Sequence, residues 1–228
     1  MELTHLQSDV LNELLNIAMG KTASIMSEMI NRTILISIPN SKLISRHALK
    51  SLFETKYEKS VHQNMLGVTI NFSGDCSGST TLFFEQNQGK TLVDKLLDHQ
   101  DDEDWDWEGD AGVSESDNQQ FFTDSDREAL LEIGNMLING LMGTIGNLLD
   151  MVFDYSLPEL QVPYRFEEIE ESAEDRMSND TLVLETFFSD QSEEIEGHLI
   201  IVFSLGEFAE KLIREIEKLS QTVADEEF

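Results

Sequence analysis

Between about residues 6 and 31 the apolar positions Val10, Leu14, Ile17, Ala18, Ile25 and Met29 recur at helical spacing, which predicts one long amphipathic helix. Residues 33–38 are rich in β-branched side chains and close on Pro39 and Asn40, the pattern of a strand with its stop signal. A polar stretch open to a helix follows, then strands near 67–73 and 80–85 separated by Gly74 and Gly78, and a helix near 90–97. The same order returns later: a helix from about 126 to 149, strands near 152–157, 182–188 and 198–203, and a helix from about 206 to 219. Each half reads helix, three strands, helix.

The recurrence extends to individual residues. Glu13, Asn16, Ser37, Pro39 and Gly78 return as Glu132, Asn135, Ser156, Pro158 and Gly197, each 119 positions on, and Asp9 returns as Glu128. A fixed offset held over this length is the mark of an internal duplication. Three strands with one apolar face are a poor fold alone, and short links between the later strands favour antiparallel pairing. The expectation is therefore an α+β fold: a tandem pseudo-two-fold repeat forming one six-stranded, mainly antiparallel sheet with two long helices on one face. Residues 1–228 read as a single duplicated domain, with repeat one at 4–97, an acidic linker at 98–119, repeat two at 120–219 and a tail at 220–228.

Composition narrows the partners. A chain of 228 residues with 40% hydrophobic content can bury a core, no apolar run approaches a membrane span, and the start Met1-Glu2-Leu3-Thr4-His5 lacks signal-peptide character. The expected place is the cytoplasm, and the lone Cys76 agrees with a reducing compartment. A formal charge of −30 argues against nucleic acid and against anionic membrane surfaces. Ten carboxylates and no Lys or Arg fall within 98–119, interrupted by Trp105 and Trp107; this reads as a mobile linker, with docking by the two aromatics as the other option. A second acidic run at 167–175 stands where the first half carries Lys42, Arg46, Lys50, Lys56 and Lys59, so the halves need not do the same work.

Asp9, Glu13 and Asn16 stand at i, i+4 and i+7, in one stripe of the first helix, and Glu128, Glu132 and Asn135 occupy the matching stripe of the second. A single surface carboxylate on a helix is usually only solvated. The two Glu–Asn pairs persist while neighbours change, Leu15 to Gly134, Lys21 to Gly140 and Glu28 to Asn147. Polar residues on a solvent face have no packing reason to persist, which points to function.

These residues resemble the CheC, CheX and FliY family of bacterial chemotaxis phosphatases, whose signature is Asp or Ser, three residues, Glu, two residues, Asn, twenty-two residues, Pro. Asp9, Glu13, Asn16 and Pro39 meet that spacing, as do Glu132, Asn135 and Pro158, while Glu128 departs from the Asp or Ser at the leading position. The words Glu13-Leu14-Leu15-Asn16-Ile17-Ala18-Met19-Gly20 and Glu132-Ile133-Gly134-Asn135 are also similar to the family, most of all to a two-site CheC-like protein. The resemblance implies hydrolysis of the aspartyl phosphate of a CheY-like response regulator. It implies that Asn16 and Asn135 orient the attacking water, that Glu13 and Glu132 pair with the regulator's lysine, that Asp9 and Glu128 support them and that Pro39 and Pro158 are structural. It implies no cofactor of the chain's own, with Mg2+ on the regulator, and leaves a CheD-type deamidase as a further partner. Asp9 is equally an early-turn cap. Asn139 and Gly140 replace Gly20 and Lys21 beside the second site, which changes what a docked partner would meet.

Other chemistry finds little support. His5, His47, His62, His99 and His198 lack zinc-helix spacing, and no glycine-rich phosphate loop follows a strand. Ser37 and Ser156 have no base nearby in sequence, and Glu13 with Glu132 makes no glycosidase pair when each sits on its own helix. The alternative reading is an interaction module that binds a regulator, a CheD-type enzyme or a flagellar switch component without hydrolysis. The short tail after about 219 carries no appended switch-complex domain, which tilts expectation away from a FliY-like arrangement.

Overall fold

The computed structural model describes residues 4–37, 40–45, 48, 64–96, 121–164, 180–192, 194–204, 213–214 and 217–218. Pro39, the acidic segments 98–119 and 167–175, and most of the final helix expected at 206–219 lie outside the described residues.

The first long apolar pattern forms α1 (His5–Ile30), and the second forms α3 (Asp124–Leu148). Each helix stops on a left-handed residue, Asn31 (φ 51°) and Asp150 (φ 49°), which stand 119 positions apart. Asn and Asp tolerate that conformation, and placed just past a helix end they terminate it. α3 begins with a capping box: Thr123 accepts from the Asp126 N–H, and Asp126 accepts from the Thr123 N–H. Lys90, on α2 (Gln86–Leu96), donates to both oxygens of the buried Asp126 at 3.1 Å and ties the shorter helix to the start of the longer one. Leu11, Leu14 and Leu15 meet Ile145, Leu148 and Leu149 around one apolar cavity, so the start of α1 lies against the end of α3 and the pair runs antiparallel.

The strands form one wholly antiparallel sheet. β3 (Met65–Gly74) and β4 (Ser77–Glu85) make a hairpin, as do β7 (Asp180–Asp190) and β8 (Glu196–Ser204), and β4 pairs with β8 at the centre. The short strands complete the edges. β1 (Ile34–Ile36) and β2 (Asn40–Ser45) both pair with β7, and β5 (Phe153–Tyr155) and β6 (Glu159–Gln161) both pair with β3. Among the described residues, eight strands therefore fill six columns, and each half lends its first strand to the hairpin of the other half. The pseudo-two-fold axis passes between β4 and β8.

Two expectations change here. The polar stretch after Pro39 is not a helix at 40–45 but strand β2, because pairing to β7 overrides the weak strand preference of Asn40, Ser41, Lys42 and Ser45. Pro158 does not end a strand for good: it falls in the break between β5 and β6, at the sheet edge where a missing N–H is tolerated. The serine before each break bridges it. The Phe187 N–H donates to Ser37 Oγ and the Asn71 N–H donates to Ser156 Oγ, each at 3.0 Å, while Ser37 and Ser156 donate their own N–H groups to the Phe187 and Asn71 carbonyls. Ser37 and Ser156 are thus accounted for by the ladder.

Gly78 and Gly197 hold equivalent places. Gly78 on β4 lies between Phe72 and Phe203, whose rings meet edge to face at 5.3 Å, and Gly197 on β8 lies between Phe84 and Phe188, whose rings meet at 5.5 Å. A Cβ would come within 2.0 Å of the Val202 carbonyl oxygen and 2.5 Å of Phe72 at the first site, and within 2.1 Å of Phe188 at the second. The ring fills the space the glycine leaves, so neither position takes a side chain. Below these rings the helices bury Leu66, Val68, Ile70, Leu82, Leu182, Leu184, Leu199 and Ile201. A smaller cluster of Met65, Phe83, Tyr164, Val183, Ile200 and Val202 lies on the other face.

The β7–β8 turn closes on Asp190, which is 1% exposed and accepts from the Glu194 and Ile195 N–H groups, the Ser192 hydroxyl and the Arg32 guanidinium. Glu194 in turn pairs with Arg32 and Lys95. Burial pushes the Asp190 carboxyl up, and these donors outweigh it and hold it well below the usual carboxylate range. Asp190→Ala is expected to cost about 2–3 kcal/mol at neutral pH, since it orphans buried donors. A depressed folded pKa gives stability that is present above the unfolded aspartate value of about 3.9 and is lost as pH falls through the folded one. Urea midpoints should therefore show the deficit of the variant shrinking below about pH 4. Cys76 is 4% exposed, and burial pushes its thiol up to about 12. It is expected to resist maleimide at neutral pH until urea unfolds the chain.

Candidate functional site

Helices α1 and α3 bury the same positions. Leu11, Leu14, Leu15, Ala18, Met19, Thr22, Met26 and Ile30 are buried on α1; on α3 the residues 119 later, Leu130, Ile133, Gly134, Leu137, Ile138, Leu141 and Ile145, with Leu149 just beyond its end, are buried too. The core stripe is therefore shifted from the one the apolar periodicity suggests. Ile17, counted there as core, is 49% exposed. Each helix packs on both the sheet and its partner helix, so its apolar face is broad and the spacing alone fits more than one stripe.

The opposite side of each helix carries the candidate residues. Asp9, Glu13 and Asn16 are exposed on α1, Glu128 and Glu132 are exposed on α3, and Asn135 is half-buried. Among the described residues, no hydrogen bond or ion pair engages Glu13, Asn16 or Glu132. Two carboxylates and two carboxamides thus stand at equivalent places, held by helices that need none of them for packing. Pro158 is half-buried at the sheet edge, between β5 and β6.

Two features beside the amides escaped the periodicity. Ile17 and Met136, the latter 41% exposed, follow Asn16 and Asn135 directly and lie four residues after Glu13 and Glu132, so each polar stripe carries one apolar contact at the same place. The signal was available as an apolar pair at the repeat offset inside a polar stripe. The second feature distinguishes the sites: the Asn139 side chain donates from Nδ2 to Asn135 Oδ1 at 2.7 Å, whereas Gly20 holds that place on α1, where a Cβ would meet nothing within 4 Å. The divergence of Leu15 to Gly134, which the sequence suggests is drift of a solvent face, belongs to the core. Both positions are buried, and Gly134 lets α3 approach β3, where a Cβ would lie 2.4 Å from Val68 Cγ1.

Chemically, the stripes offer acceptors and amides without a nucleophile. No group of three His, Cys, Asp or Glu side chains suited to a metal occurs among the described residues, and no helix there is long and apolar enough to cross a membrane. An amide can accept one hydrogen bond from water and donate another at any ordinary pH, and the carboxylate one turn away can pair with a cation. That combination binds and orients.

The model of the CheC-like family matches residues 6–43, which contain Asp9, Glu13 and Asn16. Over 210 residues, 90% of this chain and 91% of the relative, the sequence is 25% identical to the CheY-P phosphatase CheC of Bacillus subtilis (strain 168). It is 22% identical over 231 residues to the flagellar motor switch phosphatase FliY of the same organism, covering 99% of this chain and 53% of FliY, so the chain spans about half of that protein's length. In fold, Thermotoga maritima FliY superposes with a TM-score of 0.65 at 18% identity, covering 96% of this chain and 99% of the other. The middle domain of FliM from H. pylori superposes with a TM-score of 0.57 at 8% identity, covering 93% of this chain and 99% of the other. The resemblance to CheC and FliY carried by the Glu–Asn spacing extends through most of the sequence and through the fold.

Exposed, unpartnered residues should be dispensable for folding. Glu13→Ala, Asn16→Ala and Glu132→Ala are expected to unfold within about 0.5 kcal/mol of the parent, whereas Gly134→Val should lose about 1–3 kcal/mol by crowding Val68. Denaturant midpoints measure both.

Proposed function

We propose that the chain hydrolyses the aspartyl phosphate of a CheY-like response regulator, with one site on α1 and one on α3. The observation that carries this reading is the pair of equivalent, solvent-facing Glu-x-x-Asn stripes, supported by the 25% identity to the CheY-P phosphatase CheC over 90% of the chain.

An acyl phosphate is an activated mixed anhydride whose hydrolysis asks mainly for a water placed in line with phosphorus. Asn16 and Asn135 each supply a carbonyl that accepts from that water and an amino group that donates to a neighbouring oxygen. As the water oxygen bonds to phosphorus, the acyl oxygen leaves with its electron pair as aspartate carboxylate; the water's protons pass to the phosphate and to solvent. Glu13 and Glu132, one turn earlier, pair with a lysine of the regulator and set how deeply the helix enters. A loose transition state needs little early proton removal, so these carboxylates position and do not act as bases. Ile17 and Met136 give each docking stripe an apolar anchor beside the amide. Asp9 and Glu128 extend the acidic edge by one more turn, and Mg2+ is assigned to the regulator's own acidic pocket.

Phosphate release from a phosphorylated CheY-like regulator is the test. Asn16→Ala with Asn135→Ala is expected to abolish the acceleration, and each single change to remove one site's share, with a loss of about 100-fold at the site altered. Regulator binding without acceleration by the unaltered chain would overturn hydrolysis and leave a binding module. Ile17→Asp and Met136→Asp are expected to raise KM about 10-fold, corresponding to about 1.4 kcal/mol of docking energy, with kcat retained.

A further inference from the structure

We propose that Asn139 is a positioning residue that fixes the carboxamide of Asn135, so that the second site presents a preset amide and the first a freely turning one. The inference rests on the phosphatase reading of these stripes and separates two sites that the sequence repeat makes look alike.

The geometry is specific to α3. Asn139 lies one turn after Asn135 and donates from Nδ2 to Asn135 Oδ1 at 2.7 Å. The other side chains that bond four residues back along α1 and α3, among the described residues, all reach a backbone carbonyl: Thr22 to Ala18, Ser24 to Gly20, Ser27 to Ala23 and Thr144 to Gly140. Asn139 alone spends its donor on another side chain.

Its own oxygen gains nothing from the arrangement. Asn139 Oδ1 is buried and has no hydrogen-bond partner, and a helix interior does not favour Asn. A residue that leaves one polar atom buried and unpaired adds little to folding. What it does achieve is to choose the orientation of Asn135. One lone pair of Asn135 Oδ1 is held by Asn139, the second remains to accept from water, and the amino group is turned to a defined side. On α1, Gly20 holds the equivalent place and Asn16 has no such partner, so its amide must be frozen each time a regulator docks.

Ordering one side chain sets the scale of the effect. The preset amide is expected to favour the second site by about 2- to 10-fold in kcat, equivalent to about 0.4–1.4 kcal/mol at about 1.36 kcal/mol per tenfold. KM should hold, because the docking contacts assigned to Glu132 and Met136 are present with or without the Asn139 side chain.

Three measurements on the full chain decide. With Asn16→Ala silencing the first site, adding Asn139→Ala should lower kcat by about 2- to 10-fold at constant KM. With Asn135→Ala silencing the second, Gly20→Asn should raise first-site kcat by a similar factor, since a side chain at Gly20 meets no neighbour. Side-chain amide NMR, which needs no activity, should show Asn135 ordered and Asn16 mobile in the parent, with the order at Asn135 lost in Asn139→Ala. An unchanged or raised kcat in the first experiment, no gain in the second, or an Asn135 amide as mobile as Asn16 would each overturn the proposal. If the parent chain hydrolyses nothing, the phosphatase reading fails, and the NMR comparison still decides whether Asn139 holds Asn135.

Discussion

The antiparallel pairing of β4 with β8, from Ser77↔Ser204 to Phe84↔Gly197, joins two three-strand units that could not bury their apolar faces alone. Once those strands pair, each hairpin has an outer edge open, and each half closes the other's edge with its own first strand. The exchange makes the halves interdependent. It also fixes the helices, because β1 follows α1 and β5 follows α3 after a single left-handed residue in each turn, Asn31 or Asp150. The Phe72–Gly78–Phe203 and Phe84–Gly197–Phe188 contacts sit across the central strands, where substitution would separate the halves.

That arrangement leaves one side of each long helix without a packing task. Leu14 and Ile133 point to the core while Glu13 and Glu132 beside them face solvent, so one face of each helix carries stability and the other is left free. The sheet supplies rigidity, and the helix surface carries the candidate residues. The symmetry is also incomplete in a way that matters. Gly134 brings α3 close to β3 where α1 carries Leu15, and Asn139 contacts Asn135 where α1 carries Gly20, so equivalent sites differ in their supporting shell.

Much of this was legible in the chain because strong periodicities and a fixed repeat offset act over long segments. α1, α3 and the two hairpins follow from such patterns, and the Glu13–Asn16 and Glu132–Asn135 stripes fall on the exposed faces their spacing indicates. Strands β2 and β6 were not legible. Their residues are mostly polar and half-exposed, and the edge of a neighbouring strand makes them extended. Ile17 was misplaced because a helix packed on two neighbours has a wide apolar face. The hold of Asn139 on Asn135 depends on side-chain rotamers, which spacing does not specify, and the roles of Ser37 and Ser156 depend on strand exchange between halves.

On the proposed function, the two exposed helix stripes, and not the sheet edges, would receive the regulator. Titrating the chain with a regulator activated by beryllofluoride, and counting regulators bound per chain by calorimetry, tests it most directly. Two regulators should bind per chain, one after Glu13→Arg or Glu132→Arg alone, and none when both are changed. Undiminished binding to the doubly substituted chain would contradict it.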